Sequence, residues 1–225
     1  FFQLFRFGIL FVTSIILANT SFGFHLATEE IGIFEKFMTL SGAVSFFWVA
    51  GLIQGLLPLY RNNNTFKDKK IRSPLIFNAL VLSICFSLFT VAVLLIFEKG
   101  IAGFFLDNET IPYKWLFVAF FLLSTPAFLI EYIYLLLNKP RKIIFYGIST
   151  FLLQLIALVV LLWAGTGLEG CLYGLTGIAL IRFLWLIILV ARNSIPRLSL
   201  PFIQEHLVQA APLILGALLS GAIPY

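Results

Sequence analysis

An all-α, polytopic membrane protein is the fold class this sequence predicts, and three observations carry it. Seven apolar stretches of about 20 residues each recur along the 225-residue chain. Hydrophobic residues make up 61% of the chain and charged ones 11%, with a mean hydropathy of +1.05. Lys and Arg concentrate in every second loop. A helix rises 1.5 Å per residue, so each stretch covers about 30 Å, the thickness of the hydrocarbon layer. A soluble core in a chain of this length could not bury so much apolar surface, which argues against a soluble enzyme or a nucleic-acid-binding module.

The spans are expected, in order, at Gln3 to Phe22, Phe37 to Leu57, Leu75 to Phe97, Trp115 to Leu137, Ile143 to Ala164, Cys171 to Ala191 and Leu207 to Tyr225. The first also resembles a secretory signal, with Arg6 ahead of the apolar run and small residues near Ala18 to Ser21. The run is longer than a usual signal core, and the loop pattern works only with a span here, so a retained helix is expected. Lys and Arg near span ends stay in the cytoplasm, while acids contribute little to the decision. The second loop carries Arg61, Lys67, Lys69, Lys70 and Arg72, the fourth Lys139, Arg141 and Lys142, and the sixth Arg192 and Arg197, against two acids, Asp68 and Glu205. The odd loops hold Glu29, Glu30, Glu35, Glu98, Asp107, Glu109 and Glu169 with only Lys36, Lys99 and Lys114. All six loops agree on a cytoplasmic N-terminus. The net charge of +5 is then mostly an orientation signal, with contact to anionic lipid headgroups a secondary contribution and no nucleic acid required. The chain begins at Phe1 and stops at Tyr225 inside an apolar run, which reads as a fragment.

The inventory of reactive groups points away from catalysis. Cys85 and Cys171 fall in or beside spans, and neither reads as part of a disulfide framework or metal cluster. His25 and His206 lie far apart, without a cysteine or carboxylate at ligand spacing, and are expected at the surface. Transferases that hold Mg²⁺ on a pyrophosphate need clustered aspartates, whereas Asp68 and Asp107 are assigned to opposite sides of the membrane. An intramembrane serine protease needs a Ser activated by a base. Gly147-Ile148-Ser149 is the nearest string, and no His lies in any expected span. No enzyme, cofactor or metal is expected.

Ionisable residues inside spans are costly and mark cavities or partners. Arg182 lies near the middle of the sixth span, while Gly170, Gly174 and Gly177 form a small-residue stripe about 110° away around the helix. That geometry lets the helix pack on its glycines and present Arg182 to a cavity; a buried Arg–carboxylate pair is the alternative. Glu131, in the inner half of the fourth span, shares a polar stripe with Ser124 and Asn138, each seven residues away. Pro126 frees the carbonyl of Leu122 and predicts a hinge there. A hinge beside a carboxylate suits a proton- or cation-coupled mover, and an ion pair with Arg182 is equally compatible. Arg6 starts another stripe with Thr13 and Thr20, where it either faces a cavity or stretches to the interface and helps set topology. Pro212 predicts a second kinked helix. Gly51 to Gly55 is a lone GxxxG, a helix-packing signal without a stated partner.

The turn Thr28-Glu29-Glu30-Ile31-Gly32-Ile33-Phe34 and the run Gly51-Leu52-Ile53-Gln54-Gly55-Leu56-Leu57-Pro58-Leu59-Tyr60-Arg61 resemble the start of a bacterial polysaccharide-biosynthesis flippase. Such proteins belong to the multidrug/oligosaccharidyl-lipid/polysaccharide exporter superfamily. Pro126-Ala127-Phe128-Leu129-Ile130-Glu131-Tyr132-Ile133-Tyr134, leading into Asn138-Lys139-Pro140, is similar to its fourth helix and basic loop. Ala211-Pro212-Leu213-Ile214-Leu215 is similar to the helix that opens its second lobe. The resemblance runs along the whole chain and covers about half of a family member. It implies residues 1–191 as a six-helix lobe, 192–204 as a cytoplasmic connection and 205–225 as the first helix of a second lobe, the rest of which belongs to the same chain. It further implies movement of a lipid-linked oligosaccharide, a polysaccharide or O-antigen precursor, across the bacterial cytoplasmic membrane by alternating access. Arg182 and Arg6 would attract the pyrophosphate headgroup, and Glu131 would serve as counter-ion or coupling site. No specific functional residue of the family maps onto these three positions, so their roles rest on membrane depth and helix geometry. A cation-coupled multidrug or metabolite exporter of the same superfamily is the alternative, and a membrane-embedded enzyme subunit a third.

Overall fold

The computed structural model describes Thr13, Ile15 and residues 26–62, 74–106 and 110–221. Arg6, Thr20, His25, nearly all of the first expected span, the basic run Lys67 to Arg72 and Asp107 to Glu109 lie outside the described residues.

Helix α1 runs Thr28–Asn62, beginning nine residues before the expected second span. The cause is at its start: Ala27 N–H donates to Glu30 Oε2 at 2.9 Å, half of a capping box, and Glu29 and Glu30 place negative charge on the positive helix end. The acidic turn is therefore the first turn of a helix. Phe34, Phe37 and Leu40 are buried on one side at helical spacing. The helix bends by 42° between Phe46 and Trp48, next to Ser45, whose hydroxyl donates back to the Ser41 and Gly42 carbonyls at 2.7 and 3.2 Å. Such back-bonding is a recognised cause of helix bending.

Helix α2, Leu75–Ile96, follows the expected third span closely. A short helix, α3, occupies Glu98–Leu106 in what the sequence leaves as loop. Glu98 ties that loop to the next helix, accepting from Lys114 Nζ at 3.0 Å and from the Ile111 N–H at 3.3 Å. The Lys114 hydrogen bond is the main reason the Glu98 carboxyl titrates below the ordinary carboxylate value; partial desolvation opposes it, and the Ile111 bond and the Lys114 charge reinforce it.

The fourth span is broken where Pro126 stands. Helix α4, Lys114–Ser124, gives way to a 3-10 turn over Pro126–Phe128 and then to α5, Leu129–Leu136. The Thr125 N–H and Oγ1 both donate to the Phe121 carbonyl, at 3.0 and 2.6 Å, in the last turn before the break. After α5 the chain turns at Asn138, whose φ of 55° lies in the left-handed region. Its N–H donates to Leu135 O and that of Lys139 to Tyr134 O, both at 2.9 Å, which is a Schellman stop. Asn138 thus ends the helix at an exposed position and drops out of the polar stripe expected with Glu131 and Ser124. Helix α6, Pro140–Trp163, has Pro in its first turn, where a missing N–H costs nothing, and ends in the same stop at Gly165. Helix α7 runs Gly167–Asn193 and α8 Leu200–Gly221.

The connection between α7 and α8 is shorter than expected, since α8 starts at Leu200. It is held by Asn78, which is 2% exposed in α2. Its Nδ2 donates to the Arg197 carbonyl at 3.1 Å and its Oδ1 accepts from the Ser199 N–H at 3.0 Å, while Ser194 Oγ accepts from the Phe77 N–H at 3.1 Å. Helix α8 then continues through the exposed Pro212 without interruption, in contrast to the break at Pro126.

Five described segments are long and apolar enough to cross a membrane: α2, α4 with α5, α6, α7 and Leu200–Leu219, with the bent α1 as a sixth. The chain is an all-α polytopic membrane protein. Its buried residues form two clusters: one centred on Leu40, Leu52, Phe117, Phe121 and Leu172, the other on Leu56, Leu75, Ile130, Tyr146 and Leu186. Ile144, Phe145, Ile148, Leu152, Ile156 and Val160 leave one face of α6 exposed, an apolar stripe suited to lipid tails.

Candidate functional site

Between α1, α4–α5, α6 and α7 lies a cavity of about 320 Å³. Each wall is one helical face. Met38, Ser41, Gly42 and Ser45 of α1, and Leu175, Ile178, Ala179 and Arg182 of α7, recur at steps of three and four residues. The α4–α5 wall supplies Phe120, Ser124, Phe128 and Glu131, and α6 supplies Phe151 and Gln154. Ser124 and Glu131 remain on one wall despite the break between them.

Arg182 is fixed by aromatic groups. Its Nε donates to the Tyr146 hydroxyl oxygen at 2.8 Å, and its guanidinium carbon lies 5.7 Å from the Phe128 ring centroid and 5.9 Å from that of Tyr146. Ring faces attract a cation without supplying a lone pair to its N–H donors. Tyr146 is 1% exposed and meets Trp185 edge-on at 5.3 Å, and Trp185 Nε1 donates to the Tyr134 hydroxyl at 3.0 Å. One continuous network therefore joins α5, α6 and α7. A guanidinium has five donors, and the Tyr146 bond uses one. Among the described residues Arg182 makes no other hydrogen bond and no ion pair. Both Arg182 and Glu131 lie within electrostatic reach of Tyr146.

The structure brings together Arg182, Glu131 and Ser124 in the cavity and sets Pro126 at the break beside them. Arg6 lies outside the described residues. Of its expected stripe Thr13 is described: it is buried, and its hydroxyl has no hydrogen-bond partner among the described residues. Pro212 is not among the residues that line the cavity. Sequence reasoning missed Tyr146, Trp185, Gln154, Ser41 and Ser45. Gln154 and the serines had a usable signal, as polar side chains inside apolar runs. The aromatic pair had none, being two among seven Tyr and four Trp.

Two expectations are corrected, those for His206 and the glycine stripe, and a third, the GxxxG pair, gains its partner. His206 is not at the surface: it is 2% exposed and its Nε2 donates to the Leu52 carbonyl of α1 at 2.7 Å. A carbonyl oxygen has a second lone pair beyond its helical bond, so a buried ring N–H finds a partner there. The GxxxG pair has a partner, α8. A Cβ built at Gly51 would lie 2.8 Å from Ile214 N, and one at Gly55 3.0 Å from Ala210 N. His206, Ala210 and Ile214 form one stripe of α8 against it. The glycine stripe of α7 packs only in part: a Cβ at Gly174 would strike Leu161 of α6, one at Gly170 would meet Thr166 of its own preceding turn, and Gly177 faces open space.

Among the described residues no group of three or more His, Cys, Asp or Glu is placed to hold a metal ion. No family model, curated protein or solved structure matches the chain.

Proposed function

We propose that this chain is one lobe, with the first helix of a second, of a transporter that passes a lipid-linked oligosaccharide across the bacterial cytoplasmic membrane by alternating access. Its N-terminus is cytoplasmic in this reading, and the second lobe is a further part of the same protein. The observation that carries the reading is Arg182 on the wall of a membrane-embedded cavity, with no ion pair among the described residues. A charge at such depth is costly and is retained where it meets a ligand or an aqueous path. An intramembrane guanidinium also disfavours organic cations and suits the paired oxygens of a phosphate headgroup.

Other features support the same reading. The cavity volume of about 320 Å³ is at the small end of ligand pockets, enough for part of a headgroup but not for a whole lipid-linked glycan. A second lobe facing the first would complete it. The Pro126 break lies between Ser124 and Glu131 and allows that wall to reshape as the lobes rock. Glu131 offsets the cationic field of the cavity and is the coupling site in this mechanism. The α1–α8 seam at Gly51 and Gly55 joins the two lobes.

The test is flux of a lipid-linked glycan by the full-length protein carrying Arg182→Ala or Arg182→Lys. Flux reduced at least tenfold in Arg182→Ala, with a smaller loss in Arg182→Lys, is expected from removing charge-assisted hydrogen bonds worth about 1.5–3 kcal/mol. Undiminished flux at normal expression removes the cavity assignment. Because Glu131 shares the cavity, a cation-coupled exporter of the same superfamily is the second reading. Efficient counter-transport of cationic dyes would favour it.

A further inference from the structure

We propose that Tyr146 is the positioning residue of an oxyanion site at Arg182, holding the guanidinium side-on so that its two terminal nitrogens present a fork to two oxygens of a phosphate-type group. This rests on the anionic-headgroup reading and adds which residue shapes the site and what geometry the site selects. Tyr146 does not line the cavity; it stands behind Arg182 and accepts its Nε–H at 2.8 Å. That bond occupies the inner edge of the planar group. The Nη pair, which carries four of the five donors, remains for a ligand.

The choice of a phenol has a consequence. A carboxylate in the same place would fix the guanidinium equally well but would neutralise it and compete with any incoming anion. A hydroxyl oxygen orients without cancelling charge. The rings of Phe128 and Tyr146, at 5.7 and 5.9 Å, stabilise the cation while leaving its N–H groups unused. Tyr146 is itself anchored by its edge contact with Trp185, and Trp185 by its bond to Tyr134, so two neighbouring helices set the direction of the Arg182 side chain. An oriented fork favours an anion with two oxygens at matching separation over a spherical one.

The experiment uses the full chain in phosphatidylcholine nanodiscs, with equilibrium binding of radiolabelled inorganic pyrophosphate and competition by chloride. The parent binds pyrophosphate saturably and Arg182→Ala does not. Tyr146→Phe, with an unchanged unfolding midpoint, weakens pyrophosphate about tenfold while chloride competes as before, so the discrimination between the two anions narrows. Equal loss for both anions, or no loss for either, overturns the positioning role and leaves the anion site standing. Tyr134→Phe removes the far end of the network but keeps the Tyr146 hydroxyl and is expected to bind like the parent. A loss as large as that of Tyr146→Phe overturns the assignment to that hydroxyl. Should Tyr146→Phe not fold, Tyr146→His keeps a ring and an acceptor nitrogen; retained discrimination supports the role and lost discrimination overturns it. Parent and Arg182→Ala binding alike, or no binding by the parent, overturns the functional reading together with this one. Adding phosphatidylglycerol to the nanodiscs separates the sources of the phosphate group. Loss of pyrophosphate binding by the parent as phosphatidylglycerol is added identifies a lipid headgroup as occupant, and unchanged binding identifies a free phosphate.

Discussion

Replacing Gly51 by Ala should push α8 away from α1, and the structure fixes the size of the effect. The new Cβ would lie 2.8 Å from Ile214 N and 3.1 Å from its Cα, whereas comfortable contacts are about 3.5–4.0 Å. Both atoms are backbone and cannot rotate aside, so α8 must retreat by roughly 0.5–1 Å. That stretches the 2.7 Å bond from His206 to the Leu52 carbonyl toward the limit of a hydrogen bond. Overpacking costs about 1–3 kcal/mol, and a weakened buried hydrogen bond about 1 kcal/mol more. Alanine's better helix propensity returns up to about 1 kcal/mol, leaving a net loss of about 1–3 kcal/mol. Gly32 provides the control, because it lies in the same helix and a Cβ there meets nothing within 4 Å. Gly32→Ala should stabilise by about 0.5–1 kcal/mol through propensity alone. Reversible unfolding in mixed micelles, titrated with denaturing detergent, measures both variants on one scale. If Gly51→Ala stabilises as much as Gly32→Ala, α8 is not seated on the glycine pair.

Asn78→Ala should destabilise by about 2–3 kcal/mol, since Ser199 N–H and the Arg197 carbonyl lose their buried partner. Hydrogen exchange at the Ser199 amide should speed up with it, and unchanged exchange would show that the connection is held by other contacts. Glu98 predicts acid sensitivity of the α3 loop. Its folded titration point lies below the ordinary value of 4.5, so its contribution is present above that value and is lost as pH falls through the lower folded one. Exchange at the Ile111 amide should rise in that window, and Glu98→Gln should abolish the pH dependence. A pH-independent Ile111 amide in the parent would refute the assignment.

Much of the helix order is local chemistry and could be read from the chain. The run Leu75 to Ile96 is apolar throughout and forms a helix with nearly the expected limits. Pro126 interrupts a helix because it lacks the N–H for the carbonyl four residues back and crowds that turn. Pro140 and Gly165 mark a helix start and stop for equally local reasons. Elsewhere two local signals overlap. The acidic turn from Thr28 reads as loop although its capping glutamate also starts a helix, and Pro212 lies on an exposed side of a helix that continues through it.

The sequence by itself determined that this is an all-α membrane protein, and that Arg182 and Glu131 are charges placed where lipid alone would not tolerate them. Only the tertiary structure decided what those charges meet. Arg182 finds Tyr146 across 36 residues of sequence, and His206 finds the Leu52 carbonyl across 154. Asn78 and Arg197 are 119 residues apart. Hydropathy and turn propensity act over one or two helical turns and fix where helices begin and end. Which faces then meet depends on packing between distant segments: backbone approach at Gly51 and Gly55, and polar side chains that must find partners away from water. A polar residue within an apolar run announces that it needs a partner, and the fold supplies that partner's identity.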